Sequence, residues 1–138
     1  MKIKNFILIK FIFIFIFLIN SNEAKTEDCD TTVSSSLTSQ LECTDDDTLN
    51  VTINGSVIKT GADTIHAKSH SDVTIDNKGT ISASTNQAIN MQHAVNTTVT
   101  NSGTIEATLR NAILMDGDNA DNNTINNSGT LKAGKKQV

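Results

Sequence analysis

"TVTNSGTIEA", residues 98–107, has no catalytic look, yet the chain writes nearly the same ten residues three times. "TIDNKGTISA" at 74–83 precedes it and "TINNSGTLKA" at 124–133 follows. The shared unit is Thr, Val or Ile, a variable residue, Asn, a variable residue, Gly, Thr, Ile or Leu, a variable residue and Ala. Its glycines are Gly79, Gly103 and Gly129, the second interval being slightly longer than the first. Gly55, one such interval before Gly79 in "NVTINGSVIK", marks a looser first copy. A period of this size is the signature of a stacked repeat array, in which one unit cannot bury its own apolar face.

Each copy alternates apolar and polar residues on both sides of its glycine, the mark of half-buried β-strands. Four residues before the glycine stand Val51, Ile75, Val99 and Ile125; two after it stand Val57, Ile81, Ile105 and Leu131. Lys59, Ala83, Ala107 and Ala133 come two later. Between the strands, Asn and Gly suit a left-handed corner, which predicts turns at Asn77–Gly79, Asn101–Gly103 and Asn127–Gly129. Ile65, Ile89 and Ile113, with Ala67, Met91 and Met115 two residues on, predict a third short strand in each unit. Three strands in a period of about 24 residues describe one coil of a parallel β-helix. The array predicts three to four such coils over 49–138. Coils stacked at the strand spacing of about 4.8 Å put equivalent residues above one another. Val and Ile columns then form the core. Outward columns form ladders, Thr74, Thr98 and Thr124 on one face and Asn77, Asn101 and Asn127 at the corner, and Glu106 and Lys132 form an exposed pair. A leucine-rich repeat lacks its leucine framework here, and a hairpin meander needs no copies in fixed register. Disorder, which the polar composition would allow, does not explain the pattern.

Residues 1–24 stand apart. "MKIKN" is basic, "FIFIFIFLI" at 11–19 is apolar, and a polar stretch ends in the small Ala24. That is the layout of a secretory signal peptide cleaved after Ala24. The apolar run is shorter than the roughly 20 residues of a spanning helix, so the mature chain is expected to make no stable membrane insertion; the alternative is an uncleaved anchor. All five phenylalanines lie in this leader, and the chain has no Trp, Tyr or Pro. The leader holds three of the eleven basic residues and one of the fifteen acidic ones, so residues 25–138 carry a formal net charge of −6. An acidic chain without aromatic residues lacks both the basic footprint and the stacking platforms of a nucleic-acid binder.

A leader followed by regularly recurring "NSGTI" runs resembles the passenger region of a bacterial autotransporter, most closely in "VTNSGTIEATLRNAILM" at 99–115. The likeness covers roughly 49–133. It implies a right-handed β-helix displayed outside the cell, initial export by Sec-type machinery, and a C-terminal outer-membrane barrel. A barrel needs at least eight alternating segments of about ten residues, and none follows "AGKKQV". The expectation is therefore an N-terminal fragment or a disrupted frame, reaching the cell surface in the intact parent and the periplasm alone.

Few residues suggest chemistry. Cys29 and Cys43 follow the leader, within 25–48, which is expected to be a cap or linker. In an oxidising compartment they would form one disulfide stapling that cap; the alternative is two free thiols. "DGDNADNN" at 116–123 gathers Asp116, Asp118 and Asp121, but Ala120 and Asp121 break the calcium-loop pattern. It is expected to be a solvated insertion where the coil lengthens, and "TDDDT" at 44–48 a solvated turn. His66, His70 and His93 are expected on the surface, and no metal or cofactor is implied. The sequons at Asn50, Asn54, Asn96, Asn122 and Asn126 fit chance in an Asn/Thr-rich repeat. The expected function is a non-catalytic stalk or adhesin-like module that meets host, matrix or sister-cell surfaces. The alternatives are the front of a carbohydrate-active β-helix enzyme whose site is missing, or a non-functional remnant.

Overall fold

The computed structural model describes residues 25–134, whose regular elements are fifteen short β-strands with no helix. They fall into three parallel sheets, each five strands deep, wound as a β-solenoid of about four turns. The first sheet contains β1 (Thr26–Asp28), β4 (Gln40–Glu42), β7 (Ile65–His66), β10 (Ile89–Asn90) and β13 (Ile113–Leu114). The second contains β2 (Thr31–Val33), β5 (Thr48–Val51), β8 (Thr74–Asn77), β11 (Thr98–Asn101) and β14 (Thr124–Asn127). The third contains β3 (Ser36–Leu37), β6 (Ser56–Lys59), β9 (Thr80–Ala83), β12 (Thr104–Ala107) and β15 (Thr130–Lys132). The expected leader and its cleavage site at Ala24 lie outside the described residues.

Stacked apolar columns fill the interior, four of them prominent. Leu41, Ile65, Ile89 and Ile113 stack in one register. Leu49, Ile75, Val99 and Ile125 stack in a second, and Leu37, Val57, Ile81, Ile105 and Leu131 in a third. The fourth runs through Cys43, Ala67 and Met91. Away from the ends these side chains are fully enclosed, each contributing roughly 1.5–3 kcal/mol in its larger members. Glu106 and Lys132 are paired in register, with Nζ 3.6 Å from Oε2.

Residues 25–48 are more than a linker. They supply β1 to β4 and so begin the same three sheets, but their coil is short. Thr26 pairs with Gln40, whereas Leu41 must reach Ile65 for its partner, a much longer step along the chain. Where later coils place Leu, Ile or Val, this one places Glu27 under Leu41 and Thr31 under Leu49. Polar residues thus finish two core columns, as a terminal capping repeat requires. At the other end Met115, Ile125 and Leu131 stay exposed, and among the described residues β13, β14 and β15 have no outer neighbour.

The first copy of the unit is out of step with the sequence alignment. Val51 pairs with Asn77, and Leu49 is the partner of Ile75. The cause is a corner two residues longer: Leu49 and Val57 are eight apart, Ile75 and Ile81 six. The extra turn is closed by the Gly55 N–H donating to the Thr52 carbonyl at 2.8 Å, and it lifts Ile53 into solvent at 80% exposure.

The left-handed corner is also elsewhere. None of Asn77, Gly79, Asn101, Gly103, Asn127 or Gly129 has positive φ. Those residues lie at the corner before the third sheet, and their chemistry there is different. A column of left-handed residues instead precedes the second sheet: Asp46, Asp72, Asn96 and Asn122, with φ of 67°, 62°, 54° and 56°. Asp and Asn tolerate this region better than other side chains. Asn96 also donates from Nδ2 to Asp72 Oδ1 at 3.1 Å. Asn96→Ala is expected to lose about 1–2 kcal/mol in urea unfolding, whereas Asn96→Gly should stay within about 0.5 kcal/mol of wild type. Equal losses would mean that backbone handedness is not what this column selects.

Candidate functional site

The corner before the third sheet is built from an inward amide and a missing side chain. Asn77 and Asn101 are fully buried, not outward as the ladder was expected to be. Each ends a second-sheet strand at an inward position, so its amide turns toward the next coil. Asn77 Nδ2 donates to Asn101 Oδ1 at 2.7 Å, and Asn101 Nδ2 donates to Asn127 Oδ1 at 2.7 Å. The same nitrogens reach the carbonyls of Thr104 at 3.0 Å and Thr130 at 3.2 Å. Below Asn77 the column continues as Val51 and Val33, and Asn77 Oδ1 instead accepts the Gly79 N–H at 3.2 Å. Gly55, Gly79, Gly103 and Gly129 stack beside the ladder. A Cβ on Gly79, Gly103 or Gly129 would overlap the carbonyl oxygen of the glycine beneath it. This corner requires glycine for close approach of backbones.

The outer surface of the second sheet carries Thr48, Thr74, Thr98 and Thr124 in one register, with Asn50, Asp76, Thr100 and Asn126 in the next. None of the four stacked Thr hydroxyls has a hydrogen-bond partner among the described residues. Asp76 is tied by Lys78 Nζ at 2.6 Å. The face is therefore nearly neutral, with free hydroxyls repeating at the strand spacing. The third sheet presents Ser56, Thr80, Thr104 and Thr130 in the same way.

On the first sheet, Glu42, His66 and Asn90 share an outward register, and Asp63 lies at its edge. Asp63 was not picked out from the sequence. It is 7% exposed and accepts the Gln87 N–H at 3.2 Å and Asn90 Nδ2 at 2.8 Å. His66 Nδ1 is 3.4 Å from Asp63 Oδ2, and its Nε2 is 3.9 Å from Glu42 Oε1. An imidazole oriented by a carboxylate is half of a nucleophilic site, and the other half is a hydroxyl or thiol on the opposite nitrogen. Here that nitrogen faces a second carboxylate. The signal for Asp63 was its place one full coil before Gln87, in a column where polar side chains bridge coils.

The remaining candidates are corner residues. His70 Nδ1 is 3.2 Å from Asp45 Oδ1, and Asp45 also accepts the Ser71 N–H at 2.8 Å. That amide first, and His70 second, hold the Asp45 carboxyl below its ordinary range. His93 has φ 57°, and its ring packs on Gly117, where a Cβ would strike it. Asp116 accepts Gln92 Nε2 at 2.7 Å, while Asp118 and Asp121 face solvent. The two residues added in the last coil fall here, between β13 and β14. Among the described residues no group of three or more His, Cys, Asp or Glu is arranged around a metal position, and no helix is long and apolar enough to cross a membrane. Of the sequon residues, Asn54, Asn96, Asn122 and Asn126 are exposed and Asn50 is half-buried. Cys29 and Cys43 are joined in a disulfide and fully buried, on equivalent positions of successive coils.

Compared with known proteins, the chain matches no family, no curated protein and no solved structure.

Proposed function

We propose that this chain is a non-catalytic exported surface module, a stalk or adhesin-like segment of the autotransporter-passenger kind. The leader pattern of residues 1–24 supports entry into the Sec-type route. The observation that carries the reading is the second sheet's outer face. Four threonine hydroxyls without partners among the described residues repeat there along a stack whose every coil is paired with the next. A rigid, neutral, hydrogen-bonding array suits adhesion to host, matrix or sister-cell surfaces, where many weak contacts add through multivalency. His66 supports a structural role, because both its nitrogens face carboxylates and neither faces a nucleophile.

The test is adhesion of bacteria displaying the full chain. Replacing Thr74, Thr98 and Thr124 together by Asp should reduce attachment to matrix-coated or cell-coated surfaces at least tenfold, with the β-sheet circular dichroism retained. Unchanged attachment with the face so altered, or turnover of a polysaccharide by the purified chain, would defeat the reading. Export is tested separately: deletion of residues 5–20 should leave the chain in the cytoplasmic fraction.

A further inference from the structure

The capping coil is held differently from every coil above it. Its inward positions are Glu27, Cys29, Thr31, Val33 and Leu37, two of them polar. The coil two steps up has Ile65, Ala67, Ile75, Asn77 and Ile81 at the same places, one of them polar. Its strands are two or three residues long, and a groove of about 360 Å³ opens along Glu27–Leu37. Little apolar area therefore fastens it. Beyond its short strand pairings, a covalent bond fastens it, between Cys29 and Cys43, whose Cα atoms stand 4.6 Å apart, one strand spacing, on neighbouring coils. Directly above it lie Leu41, Leu49, Val51 and Val57, all essentially without solvent exposure.

We propose that the Cys29–Cys43 bond is a redox latch that keeps the capping coil open in a reducing compartment and closes it after export. The timing rests on the exported reading; the latch itself does not. In the reduced chain both residues are thiols, and the coil keeps only its short pairings to β4, β5 and β6 and the apolar contacts of Val33 and Leu37. Closure takes two thiol–disulfide exchanges with an oxidant of the disulfide class. One Cys thiolate attacks the oxidant's S–S bond, forms a mixed disulfide and releases one oxidant thiolate. The second Cys thiolate then attacks the protein sulfur of the mixed disulfide and releases the other. Two protein thiols are oxidised, the oxidant is reduced to two thiols, and the two protons pass to it. Linking residues this close in sequence shifts the coil's open–closed equilibrium by about a hundredfold. Once closed, both sulfurs are at 0% exposure, so a reductant reaches them only when the coil opens. The latch protects itself, and the open form keeps the first apolar columns uncovered while the chain is still inside the cell.

Hydrogen exchange with peptide resolution tests this on the full chain, oxidised and after dithiothreitol, and on the Cys29→Ser/Cys43→Ser double variant. The expected result is a loss of protection of about a hundredfold at residues 26–37 in both reduced chain and variant. Protection at 65–107 should stay unchanged. Unchanged protection at 26–37 would overturn the latch by showing that the coil holds itself. Loss of protection throughout 65–107 would overturn it by showing that the bond holds the whole fold. If instead the chain proves not to be exported, the exchange result stands and only its timing falls.

Discussion

Gly103→Ala should remove about 3–5 kcal/mol of stability, seen as a fall of roughly 15–30 °C in the thermal midpoint. Gly103 has negative φ, so a methyl group adds no handedness cost. The added carbon would instead overlap the Gly79 carbonyl oxygen and crowd the Lys78 carbonyl carbon and the Gly79 nitrogen, all backbone atoms of the coil below. None of these can swing away as a side chain could. The coils must part locally, and parting them breaks the Thr104 N–H bond to the Gly79 carbonyl at 2.8 Å and loosens Ile105 over Ile81. Gly61 is the internal contrast. Its φ is 88° and nothing lies within 4 Å of a Cβ, so Gly61→Ala should cost only about 1–2 kcal/mol. Asn, which tolerates the left-handed region, should largely rescue position 61 and do nothing for position 103. A Gly103→Ala protein melting within a few degrees of wild type would mean that these corners do not stack as described.

The architecture was legible because its signal is periodic. Alternation about each glycine gave the strands, and the regular interval between glycines gave the stacking of Ile65 on Ile89 and Ile81 on Ile105. Where the period breaks, legibility fails with it. Gly55 aligned correctly, yet two extra corner residues moved Val51 from the Ile75 column into the Asn77 column. The capping coil, whose Thr26 already meets its partner at Gln40, has no counterpart in the repeat, and so the sequence marks 25–48 as a cap or linker without showing its strands. The corner asparagines illustrate a different limit. Composition places Asn and Gly at turns, but it does not say whether a turn needs positive φ, an inward amide or an absent Cβ. Only the stacked backbones decide between them. Asp63 and the left-handed Asp46, Asp72, Asn96 and Asn122 were readable in principle as columns across the copies. They were hidden because Asp and Asn are common throughout this chain. The outward threonine ladder was legible as a pattern, although a free hydroxyl array states no ligand.

The buried asparagine ladder makes the sharpest demand on a single atom. Asn101→Asp replaces the amide nitrogen facing Asn127 Oδ1 by an oxygen, setting acceptor against acceptor at a fully enclosed position. The carboxylate must either ionise without solvent or hold a proton to restore the donor, so its folded-state pKa should rise above the unfolded value of about 3.9. The penalty is then absent below pH ~3.9, where both states are protonated. It grows with each pH unit above that until the folded-state pKa is reached. At pH 7 the loss should be about 3–4 kcal/mol, and urea unfolding at pH 3 and pH 7 measures the difference. Loss of equal size at both pH values would assign the effect to packing. Apolar substitution follows another rule. Asn101→Val strands the Asn77 amide and the Thr130 carbonyl and should cost about 2 kcal/mol. Replacing Asn77, Asn101 and Asn127 together by Val should cost less than three such losses, because each amide removed takes its neighbour's unmet need with it. The chain already contains the precedent, since Val51 and Val33 occupy the same column one and two coils below Asn77. A triple variant that loses the full sum would show that the ladder's bonds to the backbone carbonyls, not those between the amides, hold the corner closed.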